Sequence, residues 1–144
     1  MKRKVFRTVG IFLVAGLLVA GGLLLYIFRT GQPDMMKVKA DFHLTATELY
    51  QAFEADEAAA MSMYAGKIIE VTGRLEDVET NEWGHVTISF VDPFFGVTCT
   101  VDSLVAAKQA ERIALLARGD SLTVKGRCDG MLSDVRLVRC VVLE

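Results

Sequence analysis

Gly119-Asp-Ser-Leu-Thr-Val-Lys-Gly126-Arg-Cys-Asp-Gly130 reads as a strand entered from a helix-stopping glycine and left through a second glycine. An upstream stretch, Gly66-Lys-Ile-Ile-Glu-Val-Thr-Gly73-Arg74, repeats its plan. Both set Gly at the start, an aliphatic residue three positions on, Val at five, Gly at seven and Arg at eight. An isolated glycine inside a strand pattern marks a bulge or a sharp bend. Two such strands predict a small closed β-barrel.

Working outward, Asp129 to Asp134 turns the chain into a last strand, Val135 to Leu143. Before Gly119 a helix is expected from an Asp102 or Ser103 cap to about Arg118, with Ala106, Ala110, Ile113 and Ala117 on one face. Lys67–Leu75 forms the first barrel strand, and a turn-rich loop, Glu79–Gly84, follows it. In His85–Val91, Val86, Ile88 and Phe90 alternate inward against His85, Thr87 and Ser89. Asp92-Pro-Phe-Phe-Gly96 is a turn whose Phe94 and Phe95 are expected to plug the barrel bottom, and Val97–Val101 points Val97, Cys99 and Val101 inward. Thr45-Ala-Thr-Glu48 has capping-box spacing and opens a helix near Ala46. Asp56 caps a second short helix that ends before Gly66. Three strands, a helix and two strands, with helices in front, make an α+β, mainly β topology: the five-stranded Greek-key barrel of the OB-fold. In that fold the first and fourth strands are neighbours, and the two matched glycine strands are the first and the fourth.

The 144 residues carry a formal net charge of −2 that hides an asymmetry. Residues 1–33 hold five basic residues and no acid, whereas 34–144 hold eleven basic and eighteen acidic residues. Val9 to Phe28 is twenty residues without a charge, and as a helix it spans about 30 Å, the thickness of a bilayer's hydrocarbon. Lys2, Arg3, Lys4 and Arg7 precede it, which by the positive-inside rule keeps the N-terminus in the cytoplasm. The expected organisation is a basic cytoplasmic tail (1–8), a transmembrane helix (9–28), a linker (29–43) and an OB-fold domain (44–144) outside the membrane, with helices in 46–64 and the barrel in 67–143. The alternative, secretion after signal cleavage, fits less well. Ala20-Gly21-Gly22 is followed by more apolar chain, and signal cores run only about 7–15 residues.

The domain resembles the tRNA_anti-like OB-fold family of bacterial exported proteins. The resemblance is carried by Glu57-Ala-Ala-Ala60, Tyr64-x-Gly-Lys67, Ile69-Glu-Val-Thr-Gly73, Val97-x-Cys99, Gly119-Asp120, Val124-Lys-Gly126-x-Cys128-x-Gly130 and Val135…Cys140. It implies the fold and an exported location, and it brings no catalytic residues. An apolar N-terminal helix ahead of an exported OB barrel also resembles the haem chaperone of cytochrome c maturation. There a histidine, with a tyrosine close behind, holds haem just after the barrel. Val141-Val-Leu-Glu144 carries neither, and His43 and His85 lie elsewhere, so haem delivery is disfavoured.

Cys99, Cys128 and Cys140 have neither CxxC spacing nor nearby histidines, so neither a metal site nor a cofactor is expected. Strand parity points all three inward, as core residues. Outside the cytoplasm a disulfide of Cys99 with Cys128 or Cys140 is open. Cys128 and Cys140, placed about 16 Å apart along their hairpin, exceed the roughly 7 Å a disulfide spans. OB-folds bind ligands on the outer face of their second and third strands and at the loops beside it. Here that face offers Thr87, Ser89, Thr98 and Thr100, with no aromatic stacking platform. The best candidate patch is Trp83 and His85 near Arg127 and Arg136. No nucleophile–base constellation or phosphate loop suggests an enzyme. The reading is a membrane-anchored extracytoplasmic binding module, without catalysis, for a protein or envelope component. The acidic body disfavours the nucleic-acid alternative, and an envelope structural or stress role is the third. Oligomeric state is left open.

Overall fold

A computed structural model describes residues 2–29, 33–91 and 96–143. The chain divides into two compact units, Met1–Pro33 and Asp34–Glu144. The first is helix α1, Lys2–Arg29. Its described side chains, 12–27, are apolar or glycine and almost all exposed. Among the described residues no helix is long and apolar enough to cross a membrane.

The second unit is a five-stranded closed barrel with several helices. Its elements are β1 (Phe42–Thr45), α2 (Ala46–Ala55), α3 (Glu57–Tyr64), β2 (Ile68–Thr80), β3 (Val86–Val91), β4 (Gly96–Val101), α4 (Ser103–Lys108), α5 (Ala110–Ala114), β5 (Ser121–Met131) and β6 (Val135–Val142). Hydrogen-bonded neighbours run β2-β3-β4-β6-β5, and β5 closes back onto β2. The barrel is the OB topology expected from the strand order.

The two matched stretches are the closing pair. They run antiparallel with Val71 opposite Val124, Ile69 opposite Gly126 and Gly73 opposite Leu122. The pairing is two-fold symmetric, because each aliphatic residue faces the other strand's glycine. The hydrogen bonds repeat the symmetry: Gly66 N–H donates to Cys128 O (2.8 Å) and Gly119 N–H to Leu75 O (2.7 Å). Gly66 and Gly119 enter their strands at φ +76° and +94°, a region costly to residues with a Cβ. Gly73 and Gly126 are needed for a different reason, close approach. A Cβ at Gly73 would lie 2.9 Å from both Ala46 Cβ and Phe90 Cδ1, and one at Gly126 would overlap Cys140 Sγ. The missing side chains admit α2 at one position and β6 at the other.

Thr45 caps α2 as its spacing predicts. Glu48 N–H donates to Thr45 Oγ1 (3.1 Å), and Thr45 N–H donates back to Glu48 Oε2 (2.8 Å). That backbone donation, with the Thr45 hydroxyl on the same carboxylate oxygen (2.9 Å), holds the Glu48 carboxyl below its usual range. α2 then buries Ala46, Leu49 and Phe53, and α3, capped by Asp56, buries Ala60 and Tyr64.

Four elements differ from the sequence reading. First, β1 lies in the stretch read as the end of a linker and the start of a helical region, and it adds a parallel strand to β2. Upstream of it Met35 and Ala40 are buried, so residues 34–41 belong to the domain. Second, β2 continues past Leu75 to Thr80, because one extra residue at Glu76 shifts the register against β3 and restarts the alternation. Third, the expected helix to Arg118 is broken at Gln109 into α4 and α5, with only Ala106 fully buried. Gln109 forms two hydrogen bonds to Val142, its Nε2 donating to Val142 O (2.8 Å) and its Oε1 accepting Val142 N–H (3.0 Å). That side-chain amide takes the place of a neighbouring strand at the end of β6, and the helix yields to it. Fourth, β5 extends to Met131. The turn around Asp92, Phe94 and Phe95 falls outside the described residues.

Replacing Gly126 by Ala is expected to destabilise the domain by about 1–3 kcal/mol through overpacking, with Gly73→Ala in the same range. Urea denaturation followed by circular dichroism checks this; midpoints unchanged from the parent would refute the close-approach role.

Candidate ligand-binding face

The outer face of β3 and β4 is built from the residues that alternate with the core. Register sets them in rows: Asp77, Ser89, Thr98 and Arg136 lie side by side across β2, β3, β4 and β6, and Glu79, Thr87 and Thr100 form the next row. Asp77, Glu79 and Arg136 are exposed, and the hydroxyl residues are half-buried apart from the more enclosed Ser89. Thr98 Oγ1 donates to Asp134 of the β5–β6 turn. The face is therefore hydroxyl-rich, with carboxylates along its β2 edge, and among the described residues it holds no aromatic side chain. Asp77 and Glu79 escaped the sequence reading because the register shift at Glu76 interrupts the strand pattern. The return of an apolar residue at Val78 is the signal that the strand continues.

The β2–β3 turn is held by Asn81, whose Oδ1 accepts both Trp83 N–H and His85 N–H (3.0 Å each). This presents Trp83 to solvent at 76% exposure. Leu104, at the start of α4, is similarly exposed, and Ser103 approaches Gly84 in the same turn. His85 Nδ1 is enclosed without a hydrogen-bond partner, with Asp102 Oδ1 3.9 Å away.

Arg127 and Arg136 are not beside Trp83. Arg136 is level with Ser89 through Thr98, three residues down β3 from Val86. That is about 10 Å along the strand, and Trp83 stands beyond the turn at the far end. Arg127 pairs with Ile68 and Val138 at the other end of the barrel. The parallel β4–β6 pairing sets this separation, and it is invisible in the local pattern. The four residues form two places: Trp83 with His85 and Asp102, and Arg127 with Arg136.

A cleft of about 390 Å³ opens beside the extra residue of β2, lined by Leu75, Glu76, Asp77, Val78, Leu116 and Arg118. Arg118 pairs with Glu76 across it. Among the described residues no group of three or more His, Cys, Asp or Glu side chains is arranged to hold a metal ion.

All three cysteines are free and buried. Cys99 and Cys128 flank Leu137 from the strands on either side of it, and the Cys140 thiol hydrogen-bonds Cys99. Burial, reinforced by the Cys99 contact, pushes the Cys140 thiol well above its ordinary 9.0, and burial also raises Cys128.

These observations locate the chain among known proteins. A family model described as tRNA_anti-like matches residues 6–142. A crystal structure from Klebsiella pneumoniae, described as that of a candidate nucleic acid-binding lipoprotein, superposes with a TM-score of 0.57 at 18% identity, over 71% of this chain and 91% of that one. At that identity it supports the fold alone. Asparaginyl-tRNA synthetase of Entamoeba histolytica aligns at 15% identity and a TM-score of 0.43, over 54% of this chain and 21% of the synthetase. No curated protein sequence matches the chain.

In the folded protein the three thiols are expected to resist a thiol reagent such as a maleimide and to react together on denaturation. One thiol labelled at the free-cysteine rate would refute their burial. Raised thiol pKa values contribute stability that is fully present below pH 9 and lost as pH rises above it, since the unfolded chain ionises first. Thermal midpoints above pH 9 should fall less in a Cys140→Ala variant than in the parent, relative to each protein's own midpoint at neutral pH.

Proposed function

Because the chain belongs to the tRNA_anti-like family, we propose that residues 34–144 form a non-catalytic OB-fold interaction module. Residues 9–28 hold it at the outer surface of the cytoplasmic membrane, and its ligand is a protein or another envelope component. The observation that carries the reading is the chemistry of the β3–β4 face. Hydroxyls flanked by Asp77 and Glu79 offer hydrogen bonds to a polar or basic partner. They offer no π-surface for a base, and the two carboxylates repel a phosphate chain at the β2 edge. Exposed Trp83, fixed by Asn81 at the edge of that face, is the residue type that most often anchors a protein interface.

The membrane attachment is supported by the uncharged run from Val9 to Phe28, which lies inside α1, and by the basic residues ahead of it. The family match also begins at residue 6, so the N-terminal segment is part of the family's pattern. Nucleic-acid binding is the rival reading, and it rests on likeness of fold, which does not carry function by itself.

Titrating residues 34–144 with single-stranded RNA and DNA over a range of salt is expected to give no binding at physiological ionic strength, whereas tight, salt-steep binding would overturn the protein-ligand reading. In cells, photocrosslinking from position 83 of the full chain is expected to trap a protein partner, and Asp77→Lys with Glu79→Lys to abolish the product. Carbonate washing of membranes should leave the full chain in the pellet; release into the supernatant would sink the anchor.

A further inference from the structure

The charge of the domain is segregated. Three stretches, 34–41, 67–70 and 125–139, contain seven of the eleven basic residues of 34–144 and only five of its eighteen acids. The remainder of 34–144 carries four basic residues against thirteen acids. Folding joins these three stretches on one side of the barrel. Asp41 N–H donates to Ile68 O (2.7 Å), Cys128 N–H donates to Lys67 O (2.9 Å), Ile68 pairs with Arg127, and Arg127 pairs with Val138. Lys125, nearly buried, donates to Met36 O (3.3 Å) and so ties residues 34–40 onto β5.

Of the other six cations, Lys37, Lys39, Lys67 and Arg136 are exposed, and Arg127 and Arg139 are half-buried. The five acids of these stretches keep their charge, which leaves seven cations against five carboxylates, and each of those that follow has a partner. Asp41 accepts Ile68 N–H, Asp134 accepts from Thr98, and Asp34 lies 3.7 Å from Lys37. Arg127 Nε is enclosed without a hydrogen-bond partner, and Arg127 Nη2 is 4.0 Å from Asp129. At the tip of the neighbouring hairpin Leu132 is 81% exposed, and on α3 Met63, close to Met61 that covers Gly130, is 52% exposed. Basic side chains around a protruding aliphatic tip match an anionic bilayer surface: cations meet headgroups while a short apolar group enters the boundary.

We propose that this side of the domain docks on the anionic lipid headgroups of the membrane that holds residues 9–28. The proposal rests on the anchored reading above. In sequence it begins five residues after Arg29, at Asp34, a step that extended chain spans in at most about 18 Å.

The test separates this contact from the anchor. Among the described residues the buried core lies between Met35 and Val142, so residues 34–144 contain what they need to fold without α1. They are sedimented with vesicles of phosphatidylglycerol mixed with phosphatidylcholine and, separately, of phosphatidylcholine alone. Binding is expected only to the anionic vesicles and is expected to fall with salt. Arg127→Gln with Arg136→Gln should weaken it roughly 20-fold, and Leu132→Ser should weaken it at unchanged salt dependence. Lys37→Gln with Lys39→Gln, on exposed side chains, gives the same reading should the arginine pair fail to fold. Absence of binding, equal binding to neutral vesicles, or full binding by the charge variants would overturn the proposal. So would displacement from vesicles by single-stranded RNA at equal charge, which would assign the surface to a nucleic-acid backbone. Carbonate release of the full chain, by contrast, would fail the anchor while leaving the vesicle result to stand or fall alone.

Discussion

The barrel depends on two strands that can lie against each other only because each carries a glycine opposite the other's aliphatic residue. Gly73 and Gly126 occupy equivalent positions about the Val71–Val124 pair. The room that each leaves is used by a different third element. Gly73 receives Ala46 of α2 and the ring of Phe90, and Gly126 receives Cys140 of β6. The closing pair is thus also where the capping helix and the last strand reach the core. Protein interiors are close-packed, so a single methyl at either position must displace backbone or ring.

The elements that depart from regular alternation or helical periodicity are those through which the barrel meets its surroundings. The extra residue at Glu76 lets β2 leave β5 and continue beside β3, which carries Asp77 and Glu79 to the edge of the β3–β4 face. Gln109 gives up a continuous helix to satisfy the backbone of Val142, and Arg112 donates to the same carbonyl (3.1 Å). Buried backbone groups must be paired, and the cost falls on the helix. Lys125, 5% exposed, is held by a backbone carbonyl and lies 3.9 Å from Glu70 Oε1, whose other oxygen is 2.6 Å from His43 Nδ1. This row of polar groups across β1, β2 and β5 fastens the leading segment to the barrel wall.

Much of this was legible in order along the chain. The repeat of Gly66–Arg74 in Gly119–Arg127 announced the closing strands, Thr45 and Asp56 announced the starts of α2 and α3, and parity assigned Val86, Ile88, Phe90, Val97, Cys99 and Val101 to the core. What escaped has a common physical cause. β1 is four residues long and is a strand only because Ile69–Thr72 lies beside it. Gln109 breaks a helix for a partner more than thirty residues away. The candidate site divided for the same reason, since Trp83 and Arg136 stand near turns and only the β4–β6 pairing decides that those turns lie at opposite ends.

The sequence by itself determined the order of the five barrel strands, the caps of α2 and α3 and the unequal charge of the two parts of the chain, because these follow from periodicity, from local hydrogen bonding and from counting. Tertiary structure alone decided what Gly73 and Gly126 are for. Gly66 and Gly119 were legible as glycines that end helices, and both are left-handed; Gly73 and Gly126, whose spacing suggested bends, serve close approach instead. It also decided that the cations of three separated stretches share one side of an acidic domain. Steric room and surface charge are properties of neighbours in space, and no window of sequence contains those neighbours.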